Sequence, residues 1–168
     1  MIGEIGLDHF FVEDPSHYPA QRQVFEFFLC AAKEQDKIVT LHTKGAEAQV
    51  LTLLDRYDLR RAIVHWYSGP LDVFRDLVTR GVTFTVGAEV HYSDHIQTIA
   101  GEIPVGQLLT ETDNPGGPKG FLGEFGMPIL VQDVVRWVAE TRGTTAESII
   151  EAVRANLLAL IRDDPYLV

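Results

Sequence analysis

The chain has 168 residues, 46% of them hydrophobic and 23% charged, which are the proportions of an ordinary soluble globular domain with a sizeable core. A net charge of −10 leaves no basic footprint for nucleic acid, so a polyanionic substrate would need bound metal ions to supply local positive charge. The single cysteine excludes an internal disulfide, which suits a cytoplasmic location, and no apolar run approaches membrane-spanning length.

Ile2 to Asp8 alternates apolar with small or acidic residues and reads as a strand; His9 to Pro19 is a polar loop. Val24, Phe28, Ala31 and Ala32 then recur at helical spacing, widened by Phe25 and Leu29, and Cys30 is expected in the core. Ile38 to His42 is a β-branched strand ending at a histidine, and Thr43-Lys44-Gly45 turns the chain. A helix follows from Ala46 to about Tyr57, with Val50, Leu51, Leu53 and Leu54 on its buried side. Ala62 to His65 is the next strand, again stopping at a histidine. Pro70 is suited to a first helical position, Leu71 to Arg80 form the helix, and Gly81 stops it. Val82 to Val86 is a fourth strand, after which Ser93 caps a short helix through Ala100. Leu108-Leu109-Thr110 reads as a buried strand that runs into Glu111 and Asp113, and Pro115 ends it. Beyond a Gly- and Pro-rich loop from Asn114 to Gly126, Pro128 opens a helix striped with Leu130, Val134, Trp137 and Val138. Thr144 with Glu147 has the form of a capping box, and the last helix is expected to place Ile150, Val153, Leu157, Leu160 and Ile161 on one face.

These strands begin near residues 2, 38, 61, 82 and 107, a cadence of βαβ units and hence of a parallel sheet in a single α/β domain over residues 1–168. The sheet is either open and doubly wound or a (β/α) barrel. Functional side chains at the C-terminal ends of several strands favour the barrel.

Four such ends carry potential metal ligands: Glu4, His42, His65 and Asp113. A lone Asp after an apolar strand is ordinarily a turn former. Four ligand-type residues on four strand ends are harder to attribute to chance. Imidazole and carboxylate without thiolate suit zinc or manganese, and two ions held close together clamp a phosphate and activate a water. Asp8 either orients a ligand from behind or forms a turn. Lys44 offers a point charge to a phosphate. Trp66 and Tyr67 either stack a base or wall the site. Glu111 lies one strand period from Asp113 and either faces the same way or is solvated at the rim. His91 and His95 have helical spacing but lie beyond the fourth strand, as surface residues.

The segments GEIGLD at 3–8, LH at 41–42, VHWYSG at 64–69 and LLTETDNP at 108–115 resemble the TatD family of metal-dependent hydrolases. The stretch from Val138 through Arg142-Gly143 to Asn156-Leu157 is similar to the closing helices of that family. The resemblance implies a (β/α)₈ TIM barrel of the amidohydrolase type and a two-metal nuclease acting on DNA. In it Glu4 bridges the ions, His42 and His65 bind one, and Asp113 binds the other. The ions are zinc, manganese or magnesium. The family opens with a His-x-His pair on its first strand, and this sequence contains none. The expectation is therefore a partial barrel, five parallel strands matching the fourth to eighth of the family, with the first three βα units absent. Open edges would then favour self-association. Lys44-Gly45 stands where many members carry Arg and an acid. The activity expected is a deoxyribonuclease. The alternatives are a non-catalytic remnant that binds metal or self-associates, and a hydrolase of a small phosphoester, lactone or amide.

Overall fold

Each strand-like run forms a short parallel strand, and each is followed by helix. A computed structural model describes residues 1–162; residues 163–168, the end of the expected 1–168 domain, lie outside it. The chain contacts divide it into two compact units, Met1–Thr83 and the part from Phe84 onward.

The first unit contains β1 (Ile2–Gly6), α1 (Tyr18–Glu34), β2 (Val39–His42), α2 (Glu47–Arg56), β3 (Ala62–Val64) and α3 (Leu71–Thr79). β1 pairs in parallel with β2, and β2 with β3. The register sets Gly6 against His42 and Leu41 against Val64, so the three strands end side by side. Leu7, Ile38, Val39, Leu41 and Val64 are buried, as are Val50, Leu53 and Leu54 of α2. Arg80 closes the C-terminal end of α2 by donating to the carbonyls of Leu54 and Leu59 and pairing with Asp55. Gly81 stops α3 at φ 86°, as its position predicts.

The helical phase of α1 differs from the expected one. Its buried face is Phe25, Leu29 and Ala32, whereas Val24 is 57% exposed. Cys30, expected in the core, is exposed and donates to the Glu34 carboxylate one turn on. With eight apolar residues between Val24 and Ala32, the period is clear but the phase is not, and the turn of the helix that meets β1 decides it.

The second unit is built on β4 (Thr83–Val86), which starts at the boundary, and β5 (Leu108–Thr110), paired in parallel with Phe84 against Leu108 and Val86 against Thr110. Its helices are α4 (Asp94–Glu102), α5 (Lys119–Leu122), α6 (Val131–Arg142) and α7 (Ala146–Ile161). Ser93 caps α4, accepting from the Ile96 N–H at 3.4 Å. The Arg142 guanidinium, at the end of α6, donates to the carbonyls of Ala100 and Ile103 at 2.5 and 2.8 Å and so satisfies the end of α4. The cap of α7 is Thr145, bonded to the Ser148 N–H, one residue later than the expected Thr144. Ile149 is the buried residue of α7, while Ile150 and Leu157 of the expected face are exposed. His91 ends a short 3₁₀ turn, is exposed, and stacks on Trp137 with centroids 4.3 Å apart.

Asn156 explains why α7 sits against the start of β5. Its Nδ2 donates to the carbonyls of Val105 and Leu108 at 2.7 and 2.8 Å. Asn156→Ala strands both acceptors and is expected to lower unfolding stability by about 1–3 kcal/mol, read from the urea midpoint.

Candidate metal centre at the strand ends

Because β1, β2 and β3 end together, side chains far apart in sequence meet at their C-terminal ends. Glu4 lies on β1, His42 is the last residue of β2, and His65 is the first residue after β3. The Glu4 Oε1 lies 2.8 Å from His42 Nδ1 and 4.0 Å from His65 Nε2. On its other side the His42 ring meets Asp8, Nε2 to Oδ2 at 3.1 Å. One imidazole thus stands between two carboxylates.

Asp8 is held from several directions. The Gln21 side-chain amide grips its backbone, accepting from Asp8 N and donating to Asp8 O at 3.0 Å each. The Asp8 Oδ1 accepts the N–H groups of Phe10 and Phe11 at 2.9 and 2.7 Å. Burial pushes the Asp8 carboxyl up, but the Phe11 and Phe10 amides and the His42 ring outweigh it and hold it below the usual carboxylate range. Glu4, Asp8, Gln21 and His42 line an open pocket of about 340 Å³.

The loops after β2 and β3 are tied to each other. Lys44 Nζ donates to Ser68 Oγ at 2.5 Å, which places its charge beside the histidine-bearing ends. Glu47, a buried carboxylate, accepts the Gly45 N–H at 3.0 Å. A Cβ at Gly69 would lie 2.5–2.9 Å from the Glu47 side chain, so only glycine permits this approach. Tyr67 is buried, packs against Phe74 and donates to the Pro70 carbonyl at 2.7 Å. Burial, with the Glu47 and Asp72 carboxylates adding to it, holds the Tyr67 hydroxyl well above its ordinary range. Tyr67 is therefore a wall. Trp66 is half-buried and edge-on to His65, and its φ of 39° is uncommon for a bulky residue. Ser68 and Glu47 are absent from the sequence-derived site; the motif VHWYSG contains the first, and no pattern marks the second.

In the second unit Glu111 is half-buried, and its N–H continues the strand pairing to the Val86 carbonyl at 3.1 Å. Asp113 is exposed with φ 48°, and its carbonyl accepts the Gly117 N–H at 2.8 Å. Asn114 donates to Thr112 Oγ1 at 2.6 Å, while its own Oδ1 is buried without a hydrogen-bond partner among the described residues.

Glu4, His42 and His65 are the donor types that a borderline divalent ion accepts, and both histidine nitrogens lie within 4.0 Å of one carboxylate oxygen. As they stand, Glu4 and His42 hydrogen-bond to each other, with His65 4.0 Å from Glu4. Among the described residues no three His, Cys, Asp or Glu converge in a ready ligand shell. The donor chemistry fits a divalent ion; loading it would exchange the Glu4–His42 hydrogen bond for bonds to the ion.

A protein of parallel βα units with imidazole and carboxylate groups gathered at its strand ends belongs to the class of (β/α) proteins that carry their sites on that face. The TatD related DNase family model matches residues 1–162, and the chain belongs to that family. It is 32% identical over 163 residues to a protein of Escherichia coli (strain K12) named uncharacterized metal-dependent hydrolase YjjV, covering 95% of this chain and 62% of that one. The crystal structure of YjjV, a TatD homolog, superimposes with a TM-score of 0.87 at 31% identity over 94% of this chain and 62% of that one. Human deoxyribonuclease TATDN3 is 26% identical over 95% of this chain and 58% of its own. The chain thus spans about three fifths of the length of the curated relatives it matches.

Proposed function

We propose that this protein is a metal-dependent hydrolase, a deoxyribonuclease that cleaves phosphodiester bonds with an activated water. The observation that carries the reading is the Glu4 carboxylate set between His42 and His65 at 2.8 and 4.0 Å. The name of the human relative supports DNA as the substrate. Glu4, His42 and His65 would hold one divalent ion tightly, whereas Asp113, with no His-x-His pair in the sequence to join it, would hold a second only weakly. Bound there, the ions would supply the positive charge that a chain of net charge −10 lacks and would acidify a water. Asp113 takes the proton of the attacking water. Asp8, hydrogen-bonded to His42 at 3.1 Å, fixes the imidazole ring. Lys44, beside Ser68, donates to a phosphate oxygen. We assign the five strands to the fourth to eighth of the family barrel and place the protein in the cytoplasm. Self-association would run through β1, which pairs only with β2 among the described residues. The acidic balance supports a second reading, a small phosphoester as substrate.

Metal analysis tests the ligand set. The purified protein is expected to bind one divalent ion tightly per chain, through Glu4, His42 and His65. Asp8→Asn should weaken that uptake about 10–100-fold. Two fully occupied ions held by side chains of this chain alone would show the assignment wrong. Cleavage of DNA that persists undiminished after exhaustive chelation would remove the reading itself.

A further inference from the structure

The loop that leaves β1 is braced by several hydrogen bonds yet presents its largest side chains to solvent. Asp8 binds the Phe10 and Phe11 amides, His9 N donates to the Lys44 carbonyl at 2.8 Å, and the Tyr18 hydroxyl donates to Val12 O at 3.0 Å. The His9 ring stacks on Tyr18 with centroids 3.7 Å apart. From this braced loop Phe10 and Phe11 stand 64% and 68% exposed, edge-to-face with centroids 5.0 Å apart. A loop that only had to connect β1 to α1 would gain nothing from two solvated phenyl rings, and adjacent exposed aromatics on a braced backbone suit a binding surface.

We propose that Phe10 and Phe11 are a stacking platform for an unpaired nucleobase at the edge of the metal centre, positioned by Asp8. The inference rests on the nuclease reading and narrows its substrate to strands with unstacked bases. Three observations favour a base over other occupants. An edge-to-face pair engages one face of one ring only, leaving flat faces for a third ring. Stacking needs no basic surface, so it suits a chain of net charge −10 where phosphate contacts from lysines are scarce. The same carboxylate that holds the two phenylalanine amides through Oδ1 holds His42 through Oδ2. The backbone that carries the platform and the imidazole of the metal centre are therefore tied to one side chain. A base inside a duplex has both faces covered and cannot use the platform.

The test is fluorescence anisotropy with two labelled strands of equal length and charge, a 12-mer oligothymidylate and its abasic equivalent. The metal-loaded Asp113→Asn protein is used so that cleavage does not compete. Phe10→Ala and Phe11→Ala should each weaken oligothymidylate binding about 5- to 100-fold. Affinity for the abasic strand should move far less, and Phe10→Tyr should restore binding where Phe10→Leu does not. Equal losses on both strands, rescue by leucine as good as by tyrosine, or no loss at all would each overturn the platform. So would a lowered melting temperature in the alanine variants, since it would mean the rings pack against protein. Failure of the wild-type protein to hydrolyse any phosphodiester would defeat the nuclease reading instead; the anisotropy comparison still decides whether the rings take a base.

Discussion

Asp113→Asn is expected to lower turnover on a phosphodiester about 10²–10⁴-fold, the usual cost of removing a general base. The substitution keeps the shape of the side chain and removes its charge and its ability to accept a proton. It also suits the backbone, because Asp113 has φ 48° and Asn is among the residues that tolerate the left-handed region. A loss of activity therefore reports chemistry rather than a broken loop, and an unchanged melting temperature would establish this. His91→Ala is the comparison. His91 is exposed and stacks on Trp137, so its removal should leave turnover within about twofold. Equal losses from the two substitutions, measured as kcat on the metal-loaded protein, would take away the basis for assigning Asp113 a role.

The residues legible in the sequence are those whose position on a strand end is itself the signal. His42 and His65 terminate β-branched runs, and parallel pairing of those runs is enough to bring their side chains to one end. Glu4 is legible for the same reason, as the acid in an alternating strand. What was not legible depends on which loop meets which. No spacing shows that Lys44 reaches Ser68, or that a buried Glu47 takes the Gly45 amide, because loop contacts depend on the strand register and on the path of each loop. Asp8 illustrates both sides. Its reading as a turn former holds, with Oδ1 capping the turn, and its Oδ2 on His42 is the contact that the proposed ligand-orienting role would use. The errors in α1 and α7 are of another kind. Both helices carry more apolar residues than one face needs, so Cys30 and Ile150, expected inside, lie outside by phase.

Gly6→Ala is expected to cost about 3 kcal/mol of stability or more, among the largest effects of adding a single methyl group to this chain. Gly6 pairs with His42 across β1 and β2. A Cβ there would lie 1.9 Å from the His42 carbonyl oxygen, 2.7 Å from its carbon and 2.9 Å from its nitrogen. All three are backbone atoms, so no rotamer change relieves the overlap and the strands must part. Parting them breaks the hydrogen bond from Leu7 N to His42 O at 3.1 Å and uncovers the Leu7 side chain, which is 1% exposed. It also separates Glu4 and Asp8 from the His42 ring that both contact, so metal uptake should fall with stability. Gly81→Ala isolates the backbone contribution. Nothing lies within 4 Å of its Cβ position, and only the φ of 86° opposes the methyl, a cost of about 1–2 kcal/mol. Urea unfolding of the two variants should therefore rank Gly6→Ala well below Gly81→Ala, with metal uptake impaired only in the former. The reverse order would mean that β1 does not pair with β2 in the register that sets Glu4 beside His42.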